Sequence, residues 1–110
     1  MTFDFFYDSD GDARAKMDGP HERAGDYLES DIQGSAAQAK RILAAVDDIL
    51  AGRLERFQET GNANTLVLSV KDVRIIPESG DAPPLYMDIA DFRELVAAWL
   101  RFLELSSPAE

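Results

Sequence analysis

The alternation of apolar and polar positions at the start of the chain predicts a β-hairpin. Aromatic residues crowd the stretch from Thr2 to Tyr7, and the turn formers Asp8-Ser9-Asp10-Gly11 follow at once. A second strand from Asp12 to Met17 completes the predicted hairpin. Gly19-Pro20 then interrupts the pattern, and a loop leads into a short helical turn around Asp26-Tyr27-Leu28.

Two later stretches have apolar residues at the three- and four-residue spacing of amphipathic helices. The first follows Ser30 and Gln33, which fit a capping box, and Gly52 provides a C-terminal stop. Gly34 lies early in this stretch, so the regular helix is expected to begin later than the cap suggests. The second helix is predicted to start at the cap residue Asp88 and to run on to Leu103.

Strands are predicted between the two helices, at 53–60, 65–70 and 73–76, with a short one at 85–87. Leu66, Leu68 and Val70 share one face by the period of two, and this face is expected to meet the helices. The predicted fold class is α+β, one domain over residues 1–110, in which a small antiparallel sheet of about five strands is packed by two long amphipathic helices. The polar tail from Ser106 to Glu110 is expected to fray.

Charge is the strongest compositional signal. The chain carries 21 Asp and Glu against 11 Lys and Arg, a formal net charge of -10 on 110 residues. This field repels nucleic acid and anionic membranes and attracts basic protein surfaces, so we expect a protein partner and no direct nucleic-acid or membrane partner. The N-terminus has no secretory pattern and no stretch is apolar enough to cross a bilayer, which predicts a cytoplasmic protein.

Candidate catalytic and metal chemistry is sparse. The chain has no cysteine and a single histidine, His21, which is expected to be a solvated loop residue rather than a general base. The acids from Asp8 to Asp12 resemble the start of a calcium loop, but Gly11 stands at loop position four instead of six and Gly19 stands where the bidentate Glu belongs. A turn explains these residues better, and no phosphate loop is present. The sequence therefore predicts no cofactor, no metal site and no enzymatic activity.

The acids are unevenly distributed. Residues 1–31 hold nine acids and three bases, residues 32–77 five and six, and residues 78–110 seven and two, which gives -6, +1 and -5. If the first hairpin, the loop that follows it and the loop from Pro77 to Pro84 lie near one another, they would form an acidic surface able to cover a basic cleft.

Several short motifs resemble the CdiI immunity proteins of bacterial contact-dependent growth inhibition. They are Gly25-Asp26-Tyr27-Leu28-Glu29-Ser30-Asp31-Ile32-Gln33, the stretch Glu59 to Thr65 after Gly52, Val73 to Ile76, the final Trp99-Leu100-Arg101-Phe102-Leu103, and Phe5-Phe6-Tyr7-Asp8 with Asp10-Gly11. The resemblance implies an antitoxin that binds the C-terminal toxin domain of a cognate CdiA effector, often a nuclease acting on RNA, and covers its basic active site.

Charge and expected exposure, rather than the resemblance, select the candidate toxin-binding residues. They are Asp8, Asp10, Asp12, Asp26, Glu29, Asp31, Glu59 and Glu78. Local roles stay open for these acids, since a carboxylate in a turn or in the first turn of a helix stabilises its own backbone. Two alternative functions also stay open: a small acidic adaptor protein without catalytic activity, and a hydrolase that uses a pair of carboxylates.

Overall fold

A computed structural model describes residues 1–106. Ser106, the first residue of the predicted fraying tail, ends the last helix, and residues 107–110 lie outside the described residues. The strands are β1 (Phe3–Tyr7), β2 (Ala13–Met17), β3 (Arg56–Thr60), β4 (Asn64–Ser69), β5 (Val73–Pro77) and β6 (Leu85–Met87). The helices are α1 (Glu22–Tyr27), α2 (Ala36–Leu50) and α3 (Ile89–Ser106). A 3₁₀ turn (Gly19–His21) precedes α1, and a π-helical turn (Leu28–Ile32), called here the π turn, follows it.

The α+β class is confirmed, but the predicted single sheet of about five strands is wrong. The strands form two antiparallel sheets, the hairpin β1-β2 and a four-stranded meander in the order β3-β4-β5-β6. Within the hairpin, Phe5 lies opposite Ala15. The backbone N–H of Ala15 donates to the carboxylate of Glu29 at 2.7 Å, so a side chain occupies a donor that could otherwise pair with a further strand.

Three helices are present rather than the two long ones predicted, because the short helical turn expected around Asp26-Tyr27-Leu28 is longer and forms α1 and the π turn. Gly25 allows α1 to lie close to β2, since a Cβ at this position would be 3.2 Å from the carbonyl oxygen of Ala15. The N-cap of α2 is Ser35 rather than Ser30, and its hydroxyl accepts from the N–H of Gln38 at 3.1 Å. The Asp88 cap is confirmed, as its carboxylate accepts from the N–H of Ala90 at 3.1 Å.

One core joins the helices to one face of the meander. Leu66 and Leu68 of β4 are buried as predicted, and Trp99 and Phe92 of α3 are completely buried with them. Val70 is an exception to the predicted face, because β4 ends at Ser69 and the Val70 side chain is 65% exposed in the following turn. No helix among the described residues is long and apolar enough to cross a membrane.

The hairpin is attached to this core by its aromatic face. Phe5 meets Trp99 edge to face, with ring centres 5.0 Å apart, and Tyr7 stacks on Phe102 at 4.9 Å. Such aromatic pairs stabilise beyond the area that they bury. The opposite face of the hairpin, which carries Phe6, points away from α3, and the side chain of Phe6 is 43% exposed.

Candidate functional site

The turn of the first hairpin holds three carboxylates close together. Asp8 accepts from the backbone N–H groups of Asp10 and Asp12 at 2.9 and 3.0 Å, which is the local bonding expected of Asp in a turn. Gly11 has φ +84°, a left-handed conformation that glycine adopts without a steric penalty. The turn thereby directs the side chains of Asp10 and Asp12 into solvent, where both are exposed.

Arg14 connects this turn to the segment after α1. Its Nε donates to Asp8 at 2.8 Å and its Nη1 to Glu29 at 3.3 Å. The guanidinium of Arg14 lowers the pKa of Asp8, and the backbone N–H groups of Asp12 and Asp10 lower it further. Asp8 and Glu29 are therefore engaged inside the protein, whereas a candidate binding residue has to offer its carboxylate to a partner.

Glu29 and Asp31 lie in the π turn, and each accepts hydrogen bonds from a different hairpin, Glu29 from β1-β2 and Asp31 from β3-β4. Glu29 accepts from Ala15 of β2, as described above. Asp31 accepts from the backbone N–H groups of Ala63 and Asn64, at 3.0 and 3.1 Å, in the turn between β3 and β4. Because the π turn places these two acids on different neighbours, it connects the two sheets. Both residues have a structural role, which favours the local alternative left open for these acids.

The connection from the π turn to α2 adopts an unusual backbone conformation. Gln33 has φ 57° and ψ -141°, a region that a residue with a Cβ rarely occupies. The indole N–H of Trp99 donates to the Gln33 carbonyl at 2.9 Å, and the Gln33 N–H donates to the Leu28 carbonyl at 2.7 Å. These bonds from the core stabilise a turn that the local sequence does not favour.

Asp31 also brings the loop after β5 close to the π turn. Its half-buried position raises the pKa of its carboxyl group, and the negative charge of Glu78 raises it further against the opposing hydrogen bonds from Ala63 and Asn64. Glu78 donates its backbone N–H to the Ala63 carbonyl at 2.9 Å, and its carboxylate accepts from the hydroxyl of Thr65. The start of the Pro77 to Pro84 loop therefore lies beside the π turn, and its proximity to the first hairpin stays a prediction.

Glu59 makes its side-chain contacts with α2. It lies on β3 and accepts from the side-chain amide of Gln38 at 3.0 Å and from the guanidinium of Arg41, both on α2. Its carboxylate thus holds the edge of the meander against α2. Of the eight candidate acids, five have such internal partners: Asp8, Glu29, Asp31, Glu59 and Glu78.

The remaining three candidates are exposed acids whose side chains make no hydrogen bond among the described residues: Asp10, Asp12 and Asp26. Partial desolvation raises the pKa of Asp26, and the negative charges of Glu29 and Glu22 raise it further. Asp26 therefore lies near Glu29, one of the two acids that Arg14 contacts. Together with Phe6 on the outer face of β1, these acids define what we call the hairpin surface: Phe6, Asp10, Asp12 and Asp26.

Selection by charge alone misses Phe6 and Arg14. Phe6 lies opposite Arg14 in the hairpin register, so both point to the outer face. The alternation of side chains along β1 could have predicted this, since Phe6 lies an odd number of residues from Phe3 and from Phe5 and therefore points to the other face. No local sequence pattern predicts the contacts of Arg14 with Asp8 and Glu29, because these acids are six and fifteen positions away in the chain.

A cation could be considered at the hairpin turn. Carboxylate oxygens of Asp8, Asp10 and Asp12 lie within 4.8 Å of one another. Both oxygens of Asp8 already accept hydrogen bonds, one of them from the cationic Arg14. Oxygen-ligand cations require several free carboxylate or carbonyl oxygens, and a guanidinium at this position competes with them.

The fold and the site together define a small acidic α+β protein with an exposed, aromatic-bearing hairpin. The family model of UPF0231, an uncharacterised protein family, matches residues 1–82, and the chain belongs to this family. The matched region contains every residue of the hairpin surface. No curated protein and no solved structure matches the chain.

The family assignment corrects the interpretation drawn from the short motifs. The match to UPF0231 extends continuously from the hairpin through the meander strands up to residue 82, and nothing links that family to the CdiI immunity proteins. The motifs that suggested the resemblance are largely structural in origin. Gly25 permits a close approach of α1 to β2, and Asp31 bonds the turn at Ala63, so these residues have roles in folding.

Proposed function

We propose that this chain is a non-catalytic binding protein whose hairpin surface docks on a basic region of a protein partner. The observation that carries the proposal is the contrast between the engaged and the free acids. Asp10, Asp12 and Asp26 are exposed and make no side-chain hydrogen bond among the described residues, and the side chain of Phe6 on the outer face of β1 is 43% exposed. Protein interfaces typically have aromatic anchors at the centre and polar residues at the rim.

The electrostatics of the hairpin surface support a basic partner. The first 31 residues carry -6, and the one strongly engaged cation of the hairpin, Arg14, is already paired with Asp8 and Glu29. A complementary positive surface would be steered towards Asp10 and Asp12, and the encounter rate would fall with added salt. Phe6 would then contribute the buried apolar contact that charge alone does not provide.

The geometry gives less support to a carboxylate-based hydrolase. Such an enzyme needs one acid with a raised pKa and a second acid free to act beside it. Asp31 has a raised pKa, but both of its oxygens accept backbone N–H groups. Asp26 also has a raised pKa but is exposed on α1. We therefore favour binding, the adaptor alternative, over hydrolysis.

Site-directed photo-cross-linking in the native cells tests the proposal. A photoreactive phenylalanine analogue replaces Phe6 in one variant and Leu105 in a control variant, since the side chain of Leu105 is 79% exposed on α3. We expect a discrete protein cross-linked from position 6 and absent from position 105, with a basic surface at the cross-linked peptide. Equal cross-linking from both positions, or an acidic peptide at position 6, would contradict the proposal.

A pair of charge variants then separates local from overall electrostatics. Asp10→Asn with Asp12→Asn removes two charges from the hairpin, and Asp81→Asn with Glu94→Gln removes two from exposed positions elsewhere. The hairpin pair should reduce cross-linking from position 6, and the control pair should leave it unchanged. If both pairs reduce it equally, the hairpin has no special role.

A further inference from the structure

The four-stranded meander has one face that no helix covers among the described residues. The register places Gln58, Val67, Arg74 and Tyr86 side by side across β3, β4, β5 and β6. Their neighbours along each strand point to the opposite face, towards the helices. Gln58, Arg74 and Tyr86 are exposed, and the Tyr86 side chain reaches 58% exposure, so this row faces solvent. We call it the open row.

The open row combines cationic and apolar groups. The guanidinium carbon of Arg74 lies 5.7 Å from the centre of the Tyr86 ring, which is the geometry of a cation–π contact. Arg56 stands on the same face of β3, two residues before Gln58, and donates to the Gln58 amide oxygen at 3.0 Å. Val67 forms an apolar floor between the two arginines, because the longer side chains on either side leave it only 8% exposed.

Both guanidiniums retain donors for an external acceptor. Among the described residues, Arg74 forms a long ion pair through Nε with the Asp72 carboxylate at 3.4 Å, and Arg56 has a neutral amide as its hydrogen-bond partner. Arg presents five N–H donors in a planar fork that matches a carboxylate. The segment that contains these arginines, residues 32–77, carries +1 in a chain of net charge -10. The open row with Arg56 beside it contains two arginines and no acid, so it is a local site for an anionic group on an otherwise acidic protein.

We propose that the open row binds a short acidic segment of a partner protein in an extended conformation. Its carboxylates would pair with Arg56 and Arg74, and one of its apolar side chains would lie on the Tyr86 ring. This site is separate from the hairpin surface and does not depend on the function proposed for it.

The size of the anion distinguishes a peptide from nucleic acid. Charges on an exposed surface are screened beyond about 8 Å at physiological ionic strength, so a short acidic segment on this row meets the two arginines and the Asp72 carboxylate 3.4 Å from Arg74. A nucleic acid is a longer polyanion and would meet further acids as well, among them Glu78, which bonds Thr65 of the same sheet. Charge complementarity on this face therefore favours the peptide.

The test is a binding titration of the full chain followed by NMR with isotope-labelled protein. The probe is an extended peptide of about eight residues that alternates Glu and Leu, long enough to cross four strands at a spacing of about 4.8 Å. A Lys-for-Glu peptide and an oligouridine of similar length are the comparison ligands. We expect saturable binding of the Glu peptide alone, with shift changes centred on Val67, Arg74 and Tyr86.

Matched variants make the outcome decisive. Arg56→Gln with Arg74→Gln should weaken binding of the Glu peptide about tenfold or more, through the loss of two charge-assisted contacts. Arg53→Gln with Arg101→Gln removes the same charge from other exposed positions and should change affinity less than about twofold. All these substitutions are on the surface, and circular dichroism verifies folding before each titration.

Five results would overturn the proposal. The first four are the absence of peptide binding by the folded wild-type chain, stronger binding of oligouridine than of the Glu peptide, shift changes confined to other surfaces, and equal weakening by the two double variants. Self-association of the chain through the open row, detected as shift changes on dilution without peptide, would also overturn it, because a second copy would then be the occupant.

Discussion

Replacement of Glu29 tests whether this acid stabilises the fold rather than serving a partner. In Glu29→Ala, the backbone N–H of Ala15 loses its acceptor at 2.7 Å, and Arg14 loses a contact at 3.3 Å. In Glu29→Gln, the side-chain amide oxygen can still accept from Ala15, and only the charge is lost. The two variants thus separate the hydrogen bond from the ion pair.

The expected loss follows from the burial of each partner. A hydrogen bond to a charged acceptor contributes about 1.5–3 kcal/mol to the free energy of unfolding, and the Glu29 side chain is only 21% exposed. The ion pair adds about 0–1 kcal/mol, because the Arg14 side chain is 43% exposed and solvent screens it. Glu29→Ala should therefore cost about 2–3 kcal/mol, and Glu29→Gln less than about 1 kcal/mol.

Urea unfolding followed by far-UV circular dichroism measures the difference. With a denaturant slope of about 2 kcal/mol per molar, typical of a domain of this size, the midpoint for Glu29→Ala should fall by about 1–1.5 M. Asp10→Ala is the control and should stay within about 0.5 kcal/mol of the wild type, as an exposed surface substitution does. If Glu29→Ala and Glu29→Gln unfold at the same midpoint, the bond to Ala15 is not the stabilising contact.

Three further predictions concern the hairpin and its attachment to the core. The carboxyl pKa of Asp8, followed by an NMR pH titration, should lie below its usual value of 3.8 and rise towards it in Arg14→Gln. Because the pKa of Asp8 is depressed in the folded state, the contribution of its carboxylate to stability is present above the unfolded pKa and is lost as the pH falls through the folded pKa. An Asp8 titration that Arg14→Gln leaves unchanged would refute this prediction. Phe5→Ala should destabilise the chain by about 2 kcal/mol and Phe6→Ala by less than about 0.5 kcal/mol in urea unfolding, since Phe5 packs on Trp99 and Phe6 is exposed; equal losses would show that the assignment of faces is wrong. Trp99→Phe should cost about 2–4 kcal/mol by the same assay, from the cavity and the unpaired carbonyl that it leaves; a loss below about 1 kcal/mol would show that the indole bond is dispensable.

Local patterns predicted most of the strands and the last helix. The first hairpin, the strand that contains Leu66 and Leu68, and the cap at Asp88 all depend on neighbours in sequence, and each is present. The division into two sheets could not be predicted in this way. It depends on a contact between Glu29 and the backbone of Ala15, fourteen residues apart, and no local periodicity reports such a contact.

The start of α2 illustrates a competition between two caps. Ser30 and Gln33 have the spacing of a capping box, but the side-chain amide of Gln33 donates to the Ser30 carbonyl at 2.9 Å inside the π turn. Ser35 caps α2 instead, after Gln33 has reversed the chain direction with positive φ. The core stabilises this arrangement through Trp99, a residue 66 positions away that no local rule includes.

Charge could select a group of acids but could not sort them by role. The sequence places a charge of -6 on residues 1–31, whereas the suggested meeting of the hairpin with the Pro77 to Pro84 loop stays a prediction, because the contacts of Glu78 are with Ala63 and Thr65. It could not separate Asp10 and Asp12, which are free, from Asp8, which bonds its own turn and Arg14. That distinction depends on the direction of each side chain in a tight turn, which composition does not determine.

The most direct test of the central claim compares the association rates of the wild type and the two double charge variants with the partner identified by cross-linking from position 6. Both variants change the net charge of -10 by the same amount, so only the location of the charge differs. We predict that Asp10→Asn with Asp12→Asn slows association and flattens its salt dependence, whereas Asp81→Asn with Glu94→Gln leaves both near the wild-type values. Equal slowing by the two variants would contradict the account, because the overall charge rather than the hairpin surface would then direct binding.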